Sequence, residues 1–258
     1  MGGFGWTFDR IGRTIRPMFT EVTPKESAVE ACVRQIRGAI LRGDLFPSER
    51  LPPERKLADT FGVNRMTVRS ALSQLASKGL LSVRQGSGYR VEDFRRTGGP
   101  DLLPGLAGLA RESGDLAATA ADLLLMRRHM ARAVFERIAS RGPSGQGARV
   151  REAVAAFSET VAARGDVAAV AAADMRVLAA LLDATGSPVL GLCLNPILAV
   201  LGEFPELRAA MYAEPESNAA AYALLVSWLD DPRAEVLAPL FDELAHRDEA
   251  TVARVAGA

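Results

Sequence analysis

Two arginines, Arg65 and Arg69, stand four positions apart in the run NRMTVRSALSQLASKG, which puts both guanidinium groups on one side of a helix, a turn from each other. Val68, Leu72 and Leu75 make an apolar stripe on that helix, and Arg65, Met66, Arg69, Ser70 and Ser73 fall away from it. An outward arginine pair can be no more than a solvated face. It can also do specific chemistry, because the guanidinium fork matches the O6/N7 edge of guanine and pairs with phosphate oxygens. The elements on either side decide between these readings.

Upstream, helical periodicity begins at Glu54, with Leu57, Ala58 and Phe61 at core spacing, and stops at Gly62, which can take a left-handed turn at no steric cost. Asn64 is a good N-cap for the second helix, which the pattern carries to about Lys78 with Asn64, Val68, Ala71, Leu72 and Leu75 on one face. Lys78-Gly79 supplies a left-handed closure. Leu80 to Arg84 and Tyr89 to Val91 then read as two strands around Gln85-Gly86-Ser87-Gly88. Helix, glycine turn, helix and hairpin make a winged helix-turn-helix, whose second helix offers its N-terminal half to a major groove.

The stretch LPPERKLADTFGVNRMTVRSALSQLASKGLLSVRQGSGYRV, residues 51–91, resembles the winged-helix domain of the GntR superfamily of bacterial transcription regulators along its whole length. The resemblance implies a homodimer on a pseudo-palindromic operator of double-stranded DNA. It places the base- and phosphate-contacting positions on Arg55, Asn64, Arg65, Thr67 and Arg69 and, at the wing tip, on Gln85 and Gly86. Two departures are visible: Pro53 stands where the family more often has an N-capping Ser, and Asn64-Arg65-Met66-Thr67 replaces the commoner Ser-Arg-Thr-Thr.

Length and charge fit a two-part chain. With 258 residues, 48% hydrophobic and 24% charged, there is material for two cores. Residues 25–96 carry 14 Lys and Arg against 8 Asp and Glu, whereas residues 97–258 carry 14 against 21, so only the first part suits a polyanion. Cys32 and Cys193 have no ligand spacing and read as reduced thiols, which with the lack of an apolar leader in MGGFGWTFDRIGRTIRPMF points to a cytoplasmic protein without a membrane anchor. PVLGLCLNPILAVLGEF, residues 188–204, is too short to span and reads as a buried helix kinked at Pro196.

The expected layout is mainly α: an N-terminal arm (residues 1–22), a winged helix-turn-helix of three helices plus a β-hairpin wing (23–93), a linker (94–100), and an all-α helical-bundle effector and dimerisation domain (101–258). Thr23, Pro24 and Glu26 supply a helix start by capping box. The bundle segments fall at residues 101–111, 115–141, 148–164, 166–185, 188–203, 217–231 and 233–255. An all-helical domain after such a head resembles the FadR-type subgroup, and ALLDATGSPVLGLCLNPIL and MYAEPES are similar to its fatty-acid-responsive branch.

The subgroup implies a small-molecule effector. Many members hold a metal through Asp-x-x-x-His and two later histidines. Here Asp174 matches, Leu178 stands four positions on, and His129 and His246 are the chain's only histidines, so no metal or other cofactor is expected. Arg127 and Asp174 interrupt apolar rows and should point inward; either they satisfy each other as an ion pair, or Arg127 meets an acidic ligand, acyl-CoA or another organic acid. Asn195, Tyr222 and His246 coincide with polar positions of the fatty-acid-responsive branch, while Glu249 and Val252 replace its Gly and Trp. No phosphate-binding loop, nucleophile elbow or metal constellation supports an enzyme; QGSGYR has the glycines of a phosphate cradle but no following helix. A metal-dependent carboxylate sensor of the same subgroup, or a small-molecule binder without DNA, stays open.

Overall fold

The computed structural model describes residues 7–8, 14–15, 27–84, 88–141, 147–233 and 237–257. Two short strands, β1 (Thr7–Phe8) and β2 (Thr14–Ile15), pair antiparallel; the rest of the expected arm lies outside the described residues. Helix α1 (Ala28–Arg42) opens on a reciprocal capping box: the Ser27 hydroxyl accepts from the Glu30 N–H at 3.2 Å, and the Ser27 N–H donates to the Glu30 carboxylate at 2.8 Å. This corrects the expected start at Thr23. The sequence offers two Ser/Thr-x-x-Glu boxes in succession, and the second one caps the helix; residues 23–26 lie outside the described residues.

Gly43, at φ 82°, ends α1, and α2 (Glu54–Phe61) ends at Gly62 in the same left-handed way. Helix α3 (Arg65–Ser77) buries Val68, Ala71, Leu72 and Leu75 against α1 and α2. Strands β3 (Leu81–Arg84) and β4 (Gly88–Val91) pair with Leu81 opposite Val91 and Arg84 opposite Gly88. The chain entering α2 joins the outer edge of this hairpin: the Leu51 N–H donates to the Tyr89 carbonyl at 3.0 Å and the Val91 N–H to the Glu49 carbonyl at 2.9 Å. The base of the wing is thereby tied to the helix-turn-helix.

The connection to the second part is ordered. A one-turn helix α4 (Phe94–Thr97) and a 3-10 turn (Pro100–Leu102) pack back on the head, with Leu102 3% exposed in the head's own core. Gly79 has φ 71°, and a Cβ there would stand 2.0 Å from the Thr97 carbonyl oxygen. Glycine is therefore required twice, by the turn that closes α3 and by the approach of α4. The Thr97 hydroxyl donates to the Gly79 carbonyl at 2.7 Å, and Lys78 pairs with Asp101 at 3.3 Å.

Among the described residues eight helices follow: α5 (Leu103–Ser113), α6 (Leu116–Arg141), α7 (Gly147–Ala162), α8 (Val167–Thr185), α9 (Pro188–Glu203), α10 (Pro205–Met211), α11 (Pro215–Trp228) and α12 (Ala238–Ala256). Four points differ from the sequence expectation. Helix α10 was not foreseen, and α12 begins at Ala238, later than residue 233. Helix α9 continues across Pro196, and the sharp bend, 97°, falls at its end, before α10. Proline removes the N–H that would bond the Leu192 carbonyl, but Leu192 is 72% exposed, so water can serve that acceptor. Phe204 is extended, as the residue before Pro205 favours. Nor is α9 wholly buried, since Val189 is 64% exposed. No single helix among the described residues is long and apolar enough to cross a membrane.

Two apolar cores organise the bundle. One gathers Phe135, Val150, Phe157, Val177, Leu225 and Trp228, with Phe135 edge-on to Trp228 at 5.4 Å. The other gathers Leu123, Leu124, Val200, Leu201, Phe204 and Leu207. Beside them, α6, α8, α11 and α12 enclose a chamber.

Candidate nucleic-acid interface and effector chamber

On the head, the buried stripe of α3 fixes which side chains can leave the surface. Arg65 and Arg69 do, with side chains 66% and 60% exposed. Asn64 and Thr67 form the cap of α3: the Asn64 carbonyl oxygen accepts from the Thr67 N–H at 2.8 Å and from the Thr67 hydroxyl at 3.1 Å. Asn64 itself is exposed, and these two bonds use only the oxygen of its amide. Arg55 is exposed on the first turn of α2. Gln85 and Gly86 lie outside the described residues. Glu54, which the sequence reading took only as the start of a helix, stands among these groups: its carboxylate accepts from the Arg69 Nε at 3.1 Å and lies 3.9 Å from an Arg65 Nη.

The chamber in the bundle has a volume of about 330 Å³. Arg127 on α6 enters it, and its guanidinium donates to Asp248 on α12 at 2.6 Å; Arg128 holds the other carboxylate oxygen at 3.1 Å. Asp248 is 5% exposed, and burial pushes its carboxyl above the usual range against the opposing pull of Arg127, Arg128 and Arg247. Asp174 on α8 accepts from the Tyr212 hydroxyl at 2.8 Å and from the Tyr222 hydroxyl at 2.5 Å. Burial raises both phenols well above their ordinary range, and the neighbouring Asp174 carboxylate adds to the shift.

Arg127 and Asp174 thus line one chamber, yet each bonds to other partners and not to the other. Helical periodicity turned both inward correctly. It could not say that α12 would lie against α6 and supply the acid. The expected Tyr222 is in the chamber and His246 sits at its exposed rim, whereas Asn195 is exposed on α9 and lines a separate groove of about 800 Å³ between α8 and α9.

Polar chamber residues that the sequence reading did not single out include Tyr212, Asn218, Arg247 and Asp248. A signal existed for Asp248, which shares the buried row of α12 with Phe241 and Thr251. Arg247 is half-buried, and its guanidinium makes no hydrogen bond or direct ion pair with any described residue; burial lowers its pKa, and the nearby Arg127 charge lowers it further. Asn218 is 5% exposed, and its side-chain amide also has no hydrogen bond among the described residues. At the mouth, Arg254 pairs with Glu214.

A metal of the kind many subgroup members hold does not fit this chamber. Both Asp174 oxygens are engaged by phenols, Leu178 is apolar, and among the described residues no group of three His, Cys, Asp or Glu could hold an ion.

The profile of the gntR family of bacterial regulatory proteins matches residues 28–91, and that of the FCD domain matches residues 122–256. The fatty acid metabolism regulator protein of Edwardsiella ictaluri is 33% identical over 177 residues, 69% of this chain and 69% of that one. Its Escherichia coli (O1:K1 / APEC) counterpart is 33% identical over 175 residues, 68% of each chain. The HTH-type transcriptional regulator Mce2R of Mycobacterium tuberculosis is 45% identical over 89 residues, 34% of this chain; the match spans 37% of that relative's length. Among solved structures, Lar, which controls expression of the Listeria monocytogenes agr system, superposes with a TM-score of 0.54 at 16% identity, over 90% of this chain and 98% of that one, a likeness of fold alone. A GntR-type winged head followed by an FCD domain is what both geometry and sequence matches describe: the chain belongs to the GntR family of bacterial regulatory proteins.

Proposed function

We propose that the protein is a ligand-responsive regulator of transcription that reads a pseudo-palindromic operator as a homodimer and whose DNA affinity is set by an organic acid in the helical chamber. The observation that supports an acid is Arg247. Arg127 is bonded to Asp248, Asp174 to two phenols and Arg254 to Glu214, whereas this half-buried guanidinium has no direct hydrogen bond or ion pair among the described residues and feels Asp174 and Asp248 only at longer range. A desolvated cation without a direct hydrogen-bonding partner is costly, and a ligand carboxylate would relieve that cost. Asn218 offers a second polar contact, and Leu178, Leu181 and Leu225 offer apolar wall.

The chamber's volume sits near the lower end of the range for ligand pockets, about 300–1,000 Å³. That favours an acid of moderate size over an entire acyl-CoA. A longer acyl ligand is the second reading, supported by a smaller apolar cavity of about 230 Å³ that shares Leu178, Met211 and Tyr212 with the chamber and could take a chain end. Calorimetric titration with acetate, octanoate, palmitate, benzoate and palmitoyl-CoA tests both readings. Heat from at least one acid, lost in Arg247→Ala at unchanged fold, is the expected result. No heat from any of them, together with no change in a gel shift, would refute the acid effector.

A further inference from the structure

Glu54 is an acid at the centre of a surface built to receive an acid polymer. It is the first residue of α2, its side chain is only 18% exposed, and its carboxylate reaches across to α3 to engage both outward arginines. The two contacts differ. Arg69 gives its Nε to one oxygen at 3.1 Å, a hydrogen bond; an Arg65 Nη is 3.9 Å from the other oxygen, an ion pair without one. A guanidinium bound through Nε keeps its terminal Nη pair free, and that end-on pair suits the O6 and N7 acceptors of guanine. The carboxylate also offsets part of the positive charge that would draw the helix to phosphates of any sequence.

We propose that Glu54 is a positioning residue for sequence discrimination: it pins Arg69 with its terminal fork outward, holds Arg65 nearby by charge, and lowers the affinity of the pair for random DNA. The role goes beyond the operator-binding reading, on which it rests, and assigns no base contact to Glu54 itself.

The test uses the full-length protein and a library of duplexes with a randomised core of about twenty base pairs, from which bound sequences are selected and read, for wild type, Glu54→Gln and Glu54→Asp. Glutamine keeps the size and one acceptor but not the charge. Glu54→Gln should enrich a consensus degenerate at the positions that a matched Arg69→Ala selection loses. It should also bind random duplex several-fold more tightly at low salt, so that discrimination falls about tenfold. Glu54→Asp should recover part of it. A merely structural role for Glu54 would lower the melting temperature and weaken all duplexes alike, and that outcome overturns the proposal. So does an unchanged consensus in Glu54→Gln, or an equal change when Glu54→Gln is added to Arg69→Ala, since the effect must then run through something else. Failure of the wild type itself to enrich any consensus would instead strike the operator-binding reading, and the proposal with it.

Discussion

At the scale of single residues, the two ends of the molecule use arginine oppositely. Arg65 and Arg69 are exposed and share the partly buried Glu54 carboxylate, so removing either leaves that acid the other arginine and some access to water. Arg65→Ala and Arg69→Ala should each cost about 1–3 kcal/mol of operator binding while the melting temperature stays put, as gel shift and thermal denaturation would show. Equal losses on operator and random duplex would mean that these groups hold only phosphates. Arg127 and Arg128, by contrast, share a buried acid. Asp248→Ala would leave guanidiniums without their counter-ion and should destabilise the fold by about 3–5 kcal/mol in urea titration. Legibility follows the same division. The outward arginine face of α3 could be read because its residues lie close together along the chain, with their cap and turn beside them. The chamber could not, because Arg127 meets an acid 121 positions away and Asp174 meets tyrosines 38 and 48 positions away.

Among the elements, local signals worked where one interpretation was available and failed where two were. Gly43, Gly62 and Gly79 end three helices as their position in the pattern predicts. Pro205 was ambiguous: after an apolar run it reads as a stop, and it is also the first residue of a seven-residue helix. The join of α8 to the α10 and α11 region through Asp174 carries a pH prediction. Tyr212 and Tyr222 have raised pKa values in the fold, so each adds stability that is present below the unfolded phenol pKa of about 10 and is lost as pH rises beyond it. Ultraviolet titration should show two of the chain's three tyrosines ionising only together with alkaline unfolding, and Asp174→Asn should separate the two events. Two phenols titrating freely near pH 10 with the fold intact would contradict the network.

For the whole molecule, the charge split between the two parts predicts how it meets DNA. Only the head has a cationic excess, so affinity for any duplex should fall steeply with salt, in proportion to the phosphates engaged. A single winged head reads half a palindrome, and the full-length chain at micromolar concentration should sediment at twice its 27.5 kDa mass. Sedimentation as a monomer would leave pairing to the DNA. The mainly-α architecture was legible in periodicity alone. How the two parts meet was not, because VEDFRRTGGP has the composition of a loose spacer, yet the structure folds it into two short turns seated on the head.

That seating has a consequence for anyone exchanging operator specificities between relatives. A recombinant joint placed at the glycines of VEDFRRTGGP would keep the Thr97 hydroxyl on the Gly79 carbonyl but bring a foreign residue to the place in the head core that Leu102 fills. Hybrids cut after Leu102, carrying Gly79, Thr97 and Leu102 from one parent, should fold and keep that parent's operator; hybrids cut at Gly98 should express poorly unless the second parent supplies an equivalent leucine. The natural unit of inheritance for DNA recognition in this chain therefore runs past the spacer, to the foot of α5.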